Sequence, residues 1–176
     1  MKRTPITFSQ LKAQPFEIFN TGWFILSAGD FAKGEYNGMT ISWGSFGTLW
    51  GKPFAMVVVR PQRHTLPFLD NGDSFTLSAF GPEHKDALKF FGSKSGAQFD
   101  KFKETGLIAE AAQSVAAPAI AEAELVIECR KTYADWMKPE CFIDTKAIAD
   151  WYPAKDFHKI VFGEVTAVSA VEKYWK

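Results

Sequence analysis

The run Phe54-Ala55-Met56-Val57-Val58-Val59 is apolar at every position and β-branched through its second half. Such a segment is satisfied as a central strand covered on both faces, and Pro53 before it and Arg60-Pro61 after it set its limits. The chain supplies several neighbours for it. Trp23 to Ala28 is a short apolar run closed by a turn at Gly29-Asp30, and Gly34 to Gly38 reads as a loop. Met39-Thr40-Ile41-Ser42-Trp43 then alternates, placing Thr40 and Ser42 on one face and Met39, Ile41 and Trp43 on the other. Ser74 to Phe80 alternates again. From Glu122 onward Ala123, Leu125, Ile127 and Cys129 point one way and Glu124, Val126, Glu128 and Arg130 the other, which makes Cys129 a core residue. Phe157 to Val171 reads as one long or bent closing strand, with Gly163 at a bulge or a close approach.

Helical signals are shorter. Thr65 can cap a helix whose first turn tolerates Pro67 and which Asn71-Gly72 ends. Glu83 to Phe91 places Ala87, Leu88 and Phe91 at helical spacing, and a second short helix is predicted from Gln98 to Thr105. The Ala-rich stretch 109–123 contains Pro118 and is not one continuous helix. Residues 132–153 are aromatic and irregular, with one or two helical turns between Asp144 and Asp150. Separated strands with two helical excursions predict a mainly β fold, an antiparallel barrel with short flanking helices, and not a doubly wound α/β sheet. The 176 residues, 47% of them hydrophobic, fit a single domain over 1–176 with a core large enough to fold unaided.

Lys and Arg total 20, as do Asp and Glu. The chain therefore lacks the positive surplus that drives binding to nucleic acid or an anionic membrane. No signal core follows the basic Met1-Lys2-Arg3, and no run approaches the length of a membrane span. Cys129 and Cys141 are too few for a disulfide scaffold, so free thiols in a reducing, cytoplasmic setting are expected.

The densest chemistry lies between Arg60 and Thr65. Two guanidiniums, a hydroxyl and the free N–H groups of a helix start fall within a few residues, a combination suited to a phosphate, to which Thr40 and Ser42 can add hydroxyls. The same residues equally suit a helix cap with both Arg side chains in solvent, and the sequence alone leaves both readings open. His64, His84 and His158 are scattered without Cys or carboxylate at ligand spacing, so no metal site is expected. Neither a Gly-x-Gly-x-x-Gly loop nor a Gly-Lys-Ser/Thr loop nor a Gly-x-Ser-x-Gly elbow is present, which argues against Rossmann, P-loop and hydrolase chemistry. Taken locally, His158 reads more readily as a structural hydrogen bonder, Lys101 as a solvated helix residue, and Trp151-Tyr152 as core or interface.

Taken in order, Tyr36-Asn37-Gly38-Met39-Thr40-Ile41-Ser42-Trp43, Pro53 before the Val-rich strand, Arg60-Pro61-Gln62-Arg63-His64-Thr65 and Phe75-Thr76-Leu77-Ser78 resemble the flavin reductase-like family of FMN-binding split barrels. Ser95-Gly96 followed by Phe99-Asp100-Lys101-Phe102-Lys103-Glu104-Thr105-Gly106-Leu107 is similar to its flavoredoxin branch. The closing His158 to Val165 resembles the family's His-containing strand, with Asp156-Phe157-His158 in place of the usual Gly-Asp-His. The resemblance implies a Greek-key split β-barrel that dimerises with FMN at the subunit interface. Asn37, Thr40, Ser42 and Trp43 would line the flavin site, Arg60, Arg63, His64 and Thr65 would surround the phosphate, and Lys101 would lie near the cofactor. His158 would act on the reactive side of the ring. The implied function is a flavin reductase taking hydride from NADH or NADPH and passing electrons on as reduced flavin or to a small-molecule or protein acceptor such as ferric iron. The alternative is a flavoredoxin-like electron carrier serving a protein partner.

Overall fold

The computed structural model describes residues 2–176; Met1, at the head of the basic N-terminal stretch, lies outside the described residues. Its elements in chain order are β1 (Thr4–Ile6), α1 (Pro15–Glu17), β2 (Phe24–Asp30), β3 (Glu35–Ile41), β4 (Gly44–Leu49), β5 (Lys52–Val59), α2 (Thr65–Asn71), β6 (Ser74–Ala79), α3 (Lys85–Ser93), α4 (Lys101–Thr105), β7 (Ala109–Glu110), β8 (Ala119–Ile120), β9 (Leu125–Trp136), α5 (Lys146–Trp151) and β10 (Lys159–Ala170). The main sheet runs β3-β2-β6-β9-β10-β5-β4 with β1 added on β10, and β7 and β8 form a separate ribbon. Neighbouring strands are antiparallel throughout. The result is the mainly β, Greek-key split barrel expected from the sequence, with short flanking helices.

Alternation explains what lies inside. Phe24, Leu26 and Ala28 of β2, Phe75 and Leu77 of β6, Leu125, Ile127 and Cys129 of β9, Val57 and Val59 of β5 and Val161 of β10 share one buried cluster. The opposite faces of β2 and β9 are also covered, because Ile25 and Val126 join Leu88 and Phe91 of α3 and residues of the 107–123 segment in a second cluster. Ala123 belongs to this second cluster, not to the set containing Cys129. At Gly163 the β9–β10 register shifts. A Cβ there would stand 2.6 Å from Phe75 Cε1 and 2.8 Å from Cys129 Cβ, so the predicted close approach is real.

Several boundaries differ from the sequence reading. Tyr36-Asn37-Gly38 is not a loop but part of β3. Gly38 is there for space, since a Cβ would meet Phe91 Cε1 at 3.0 Å and Ile25 Cγ2 at 3.1 Å. Ser42 and Trp43 lie beyond the end of β3. The Gly-spaced segment that follows is strand β4, joined to β5 by a two-residue turn in which Trp50 and Gly51 have φ of 53° and 72°; paired positive φ values match strand twist in such hairpins. His64 precedes the first turn of α2, so Thr65 is not the cap. The helix expected from Gln98 begins at Lys101, where Asp100 accepts from the Lys103 N–H. The irregular stretch from Thr132 is, as far as Trp136, a continuation of β9.

Candidate active site

Three pieces of backbone meet at one end of the barrel: the exit of β3, the β5–α2 connection, and the junction from α3 to α4. The α5 segment and the start of β10 close them from the other side. Between them lies a cavity of about 260 Å³ whose wall includes Thr40, Ser42, Trp43, Arg60, Arg63 and His158. A smaller hollow of about 110 Å³ adjoins it, with Arg63, His64, Thr65, Ser95, Gly96 and Lys101 around it. Arg63 belongs to both walls. A larger hollow of about 830 Å³ lies between the β2–β3 turn and α2 and contains none of the candidate residues; its charged rim includes Asp30, Glu35 and Asp73.

The small hollow is electrostatically unusual. Lys101 is only 3% exposed, and its Nζ finds nothing better than the Phe91 carbonyl at 3.3 Å. Arg63 is half-buried and donates to the Gly92 carbonyl at 2.7 Å and more loosely to that of Phe91 at 3.4 Å. Among the described residues neither cation has a carboxylate partner. Burial first, then repulsion from Arg63, bring the Lys101 ammonium down from 10.5 to about 8; burial alone lowers Arg63. Thr65 is buried and its Oγ1 accepts from Asn37 Nδ2 at 3.1 Å, leaving the hydroxyl proton free to donate. Gly96 lets the backbone close over this pair, because a Cβ would sit 2.6 Å from the Asn37 amide. A buried and a half-buried cation without carboxylate partners, beside a hydroxyl with a spare proton, have the chemistry to receive a compact anion.

The larger cavity is aromatic. The rings of Trp43 and Trp151 meet edge to face at 5.1 Å, and Trp43 stands 5.2 Å from the His158 ring. His158 is buried, and its Nδ1 lies 2.8 Å from the Tyr152 hydroxyl. Burial, reinforced by the Arg60 charge and opposed by Asp156, lowers His158 from 6.5 to about 4, so it is neutral at physiological pH.

The expected residues thus gather, though not in the expected roles. Thr40, Ser42, Trp43, Arg60, Arg63 and His158 share the larger cavity, while His64, Thr65 and Lys101 share the smaller with Arg63; Asn37 sits beneath Thr65. Arg60 does not join Arg63 around an anion. It pairs with Asp156, donates to the Trp151 carbonyl at 2.8 Å and lies over the Tyr152 ring. Thr40 spends its hydroxyl on the Leu88 carbonyl at 2.5 Å. Lys101 is not a solvated helix residue. The helical turns expected between Asp144 and Asp150 are α5, but Trp151 and Tyr152, read as core or interface, and Asp156 were not expected in the site, because nothing local announces that Tyr152 will meet His158 across the α5–β10 connection.

The fold is an antiparallel split barrel with a cationic hollow beside an aromatic cavity at one end. The flavin reductase like domain model matches residues 16–174, and the chain belongs to that family. Among solved structures, the flavoredoxin of Desulfovibrio vulgaris (Miyazaki F) is similar at a TM-score of 0.67 and 21% identity, over 98% of this chain and 78% of that one. An FMN-binding domain of a flavin reductases-like enzyme from Shewanella baltica OS155 reaches a TM-score of 0.69 at 15% identity, over 99% and 83% of the two chains. The NADH:FAD oxidoreductase SgcE6 of Streptomyces globisporus reaches 0.64 at 19% identity, over 88% and 78%. No curated protein matches significantly.

Proposed function

We propose that this chain binds FMN and works as an NAD(P)H-dependent flavin reductase, taking hydride from the nicotinamide and releasing electrons as reduced flavin or to an acceptor such as ferric iron. The observation that carries this reading is the pair of buried Lys101 and half-buried Arg63, side by side without a carboxylate partner among the described residues. A monoester phosphate supplies the missing charge, and the adjoining aromatic cavity suits a planar ring system. The family membership and the flavin-related names of similar structures point the same way.

When bound, the flavin ring supplies the redox chemistry. The chain supplies position. Arg63, Lys101 and the Thr65 hydroxyl hold the phosphate, with Asn37 fixing the Thr65 rotamer and Gly96 permitting the backbone approach. Ser42 faces the larger cavity with a free hydroxyl, while Trp43 and Trp151 exclude water from one side. Arg60, pinned by Asp156, anchors the end of α5. His64 borders the phosphate hollow and stacks edge-on against Phe68.

A homodimer with the flavin at the subunit interface is part of the proposal. Its support is the outer face of β5, β10 and β9, where Phe54, Phe162 and Tyr133 form an aromatic row and Val58 continues into the wall of the larger cavity. A reducing, cytoplasmic setting is proposed from the two free thiols, Cys129 and Cys141, and among the described residues no helix is long and apolar enough to cross a membrane.

The electron-carrier reading gains one observation: Trp151, at the mouth of the larger cavity, is 54% exposed and suits contact with a protein partner. An absorbance spectrum of the purified chain with FMN, before and after anaerobic NADH or NADPH, decides between them. Bleaching at a catalytic rate supports the reductase. Flavin reduced only by dithionite supports the carrier, and failure to bind flavin refutes both.

A further inference from the structure

His158 is held by a tyrosine and not by Asp156, the carboxylate nearest to it in sequence. Asp156, two residues upstream, is occupied by Arg60 and by Gln62 Nε2 at 2.8 Å. The imidazole instead meets Tyr152, a buried residue whose ring stacks on Phe157 at 4.9 Å and packs edge-on against Phe142 at 5.8 Å. These contacts fix the phenol, and its hydroxyl has two neighbours: His158 Nδ1 at 2.8 Å and Met137 Sδ at 3.2 Å. It has one proton to give. An imidazole nitrogen is a far stronger acceptor than a thioether, so the proton goes to Nδ1. Nδ1 of a neutral imidazole that accepts a hydrogen bond carries no proton, and the ring proton must then reside on Nε2. Among the described residues Nε2 has no hydrogen-bond partner, and the ring borders the larger cavity.

We infer that Tyr152 is a positioning residue: its hydroxyl donates to His158 Nδ1, holding the imidazole as the neutral Nε2–H tautomer and presenting that N–H as a donor to a carbonyl or carboxamide oxygen of the planar group bound beside Trp43. The charged and titratable groups around His158 agree with this assignment. Arg60 at the end of β5 opposes a second proton, and Asp156 is neutralised by Arg60. The site thus offers a neutral donor, not an acid that gives up a proton. Only the identity of the ligand rests on the flavin reading; the tautomer is a property of the chain itself.

The test is nitrogen-15 NMR of histidine-labelled protein without flavin at neutral pH, with His158 assigned by His158→Gln, followed by the same measurement and an FMN titration on Tyr152→Phe. The expected parent shows an unprotonated Nδ1 and a protonated Nε2. Tyr152→Phe keeps the ring packing, so the variant folds while both tautomers become populated, and FMN affinity falls only about twofold, in proportion to the lost Nε2–H fraction. A parent with its proton on Nδ1, or a variant whose tautomer is the same as the parent's, overturns the inference; a residue of purely structural importance would alter the melting temperature without touching the tautomer. Should Tyr152→Phe fail to fold, the parent spectrum alone decides. A parent that does not bind FMN refutes the flavin reading independently of which nitrogen carries the proton.

Discussion

Replacing Lys101 with Met should make the protein more stable and a worse flavin binder, and the two effects can be sized separately. Lys101 is 3% exposed, and its pKa falls from 10.5 to about 8. At about 1.4 kcal/mol per unit, keeping the ammonium charged in the fold at neutral pH costs about 3 kcal/mol. Methionine fills similar volume without charge and forfeits only the bond to the Phe91 carbonyl, worth about 1 kcal/mol. The difference leaves the variant more stable by about 2 kcal/mol, which raises Tm by roughly 4–8 °C for a chain of this size. Binding moves oppositely. Loss of a charge-assisted hydrogen bond to phosphate costs about 1.5–3 kcal/mol, or roughly 10- to 150-fold in Kd. Thermal melts without flavin, with parallel titrations of FMN and riboflavin, read both effects, and riboflavin should bind parent and variant alike because it has no phosphate. A Lys101→Met protein that melts lower than the parent, or that loses riboflavin as severely as FMN, refutes the reasoning.

The pH dependence of FMN affinity should follow the same lysine. A phosphate monoester gains its second charge around pH 6, and Lys101 in the free protein loses its proton near pH 8, so fluorescence titrations should find the tightest binding between these limits and weakening above. Stability without flavin should instead rise from pH 8 towards 10.5, since there the unfolded chain binds the extra proton; calorimetry in the parent and in Lys101→Met isolates the contribution. For His158, with its folded pKa lowered from 6.5 to about 4, the unfolded state takes the proton first as pH falls. The parent should therefore lose about 3 kcal/mol relative to His158→Gln across that window, measured by urea unfolding. Gly163→Ala should destabilise by about 1–3 kcal/mol, because its Cβ would fall 2.6 Å from Phe75 Cε1, and a midpoint unchanged in denaturant would contradict that contact.

The strands were legible wherever burial imposes a period. Phe54 to Val59, Ser74 to Phe80 and Leu125 to Cys129 read correctly because each strand inherits its pattern from the same core. Legibility failed where a glycine serves proximity instead of turning. Gly38 reads as a loop signal, yet it clears room for the Phe91 ring inside β3, as Gly44 does for Phe19 at the start of β4. Of the site, the Arg60 to Thr65 cluster was legible as phosphate or helix-cap chemistry because its members are adjacent in the chain. The choice between phosphate receptor and helix cap was not, since it depends on Lys101 arriving from α4 without a counter-ion. Arg60 stands three residues from Arg63 and looks equivalent in sequence; only Asp156, from the far side of the barrel end, separates their roles.

The contrast with the other buried charges gives the anion site its weight. Arg3 pairs with Glu110 and donates to the carbonyls of Ile120, Ala121 and Ala123 at 3.0, 3.0 and 2.7 Å. Glu128, 2% exposed, accepts from the Gln113 and Ser114 N–H groups and the Ser114 hydroxyl at 2.9, 2.7 and 2.7 Å. Both charges are closed within the fold, as a low-dielectric interior requires. Among the described residues Arg63 and Lys101 have no carboxylate partner and lie beside each other, against the same electrostatic pressure, where a hollow of about 110 Å³ adjoins an aromatic cavity. Glu128, among the same residues, has no cation partner but three donors, and Arg3 has an ion pair as well as carbonyls, whereas Lys101 has only the Phe91 carbonyl and Arg63 only those of Gly92 and Phe91. On the proposed reading a phosphate offsets their cost, so the stability gained by Lys101→Met and the FMN affinity it loses would measure two sides of one electrostatic arrangement.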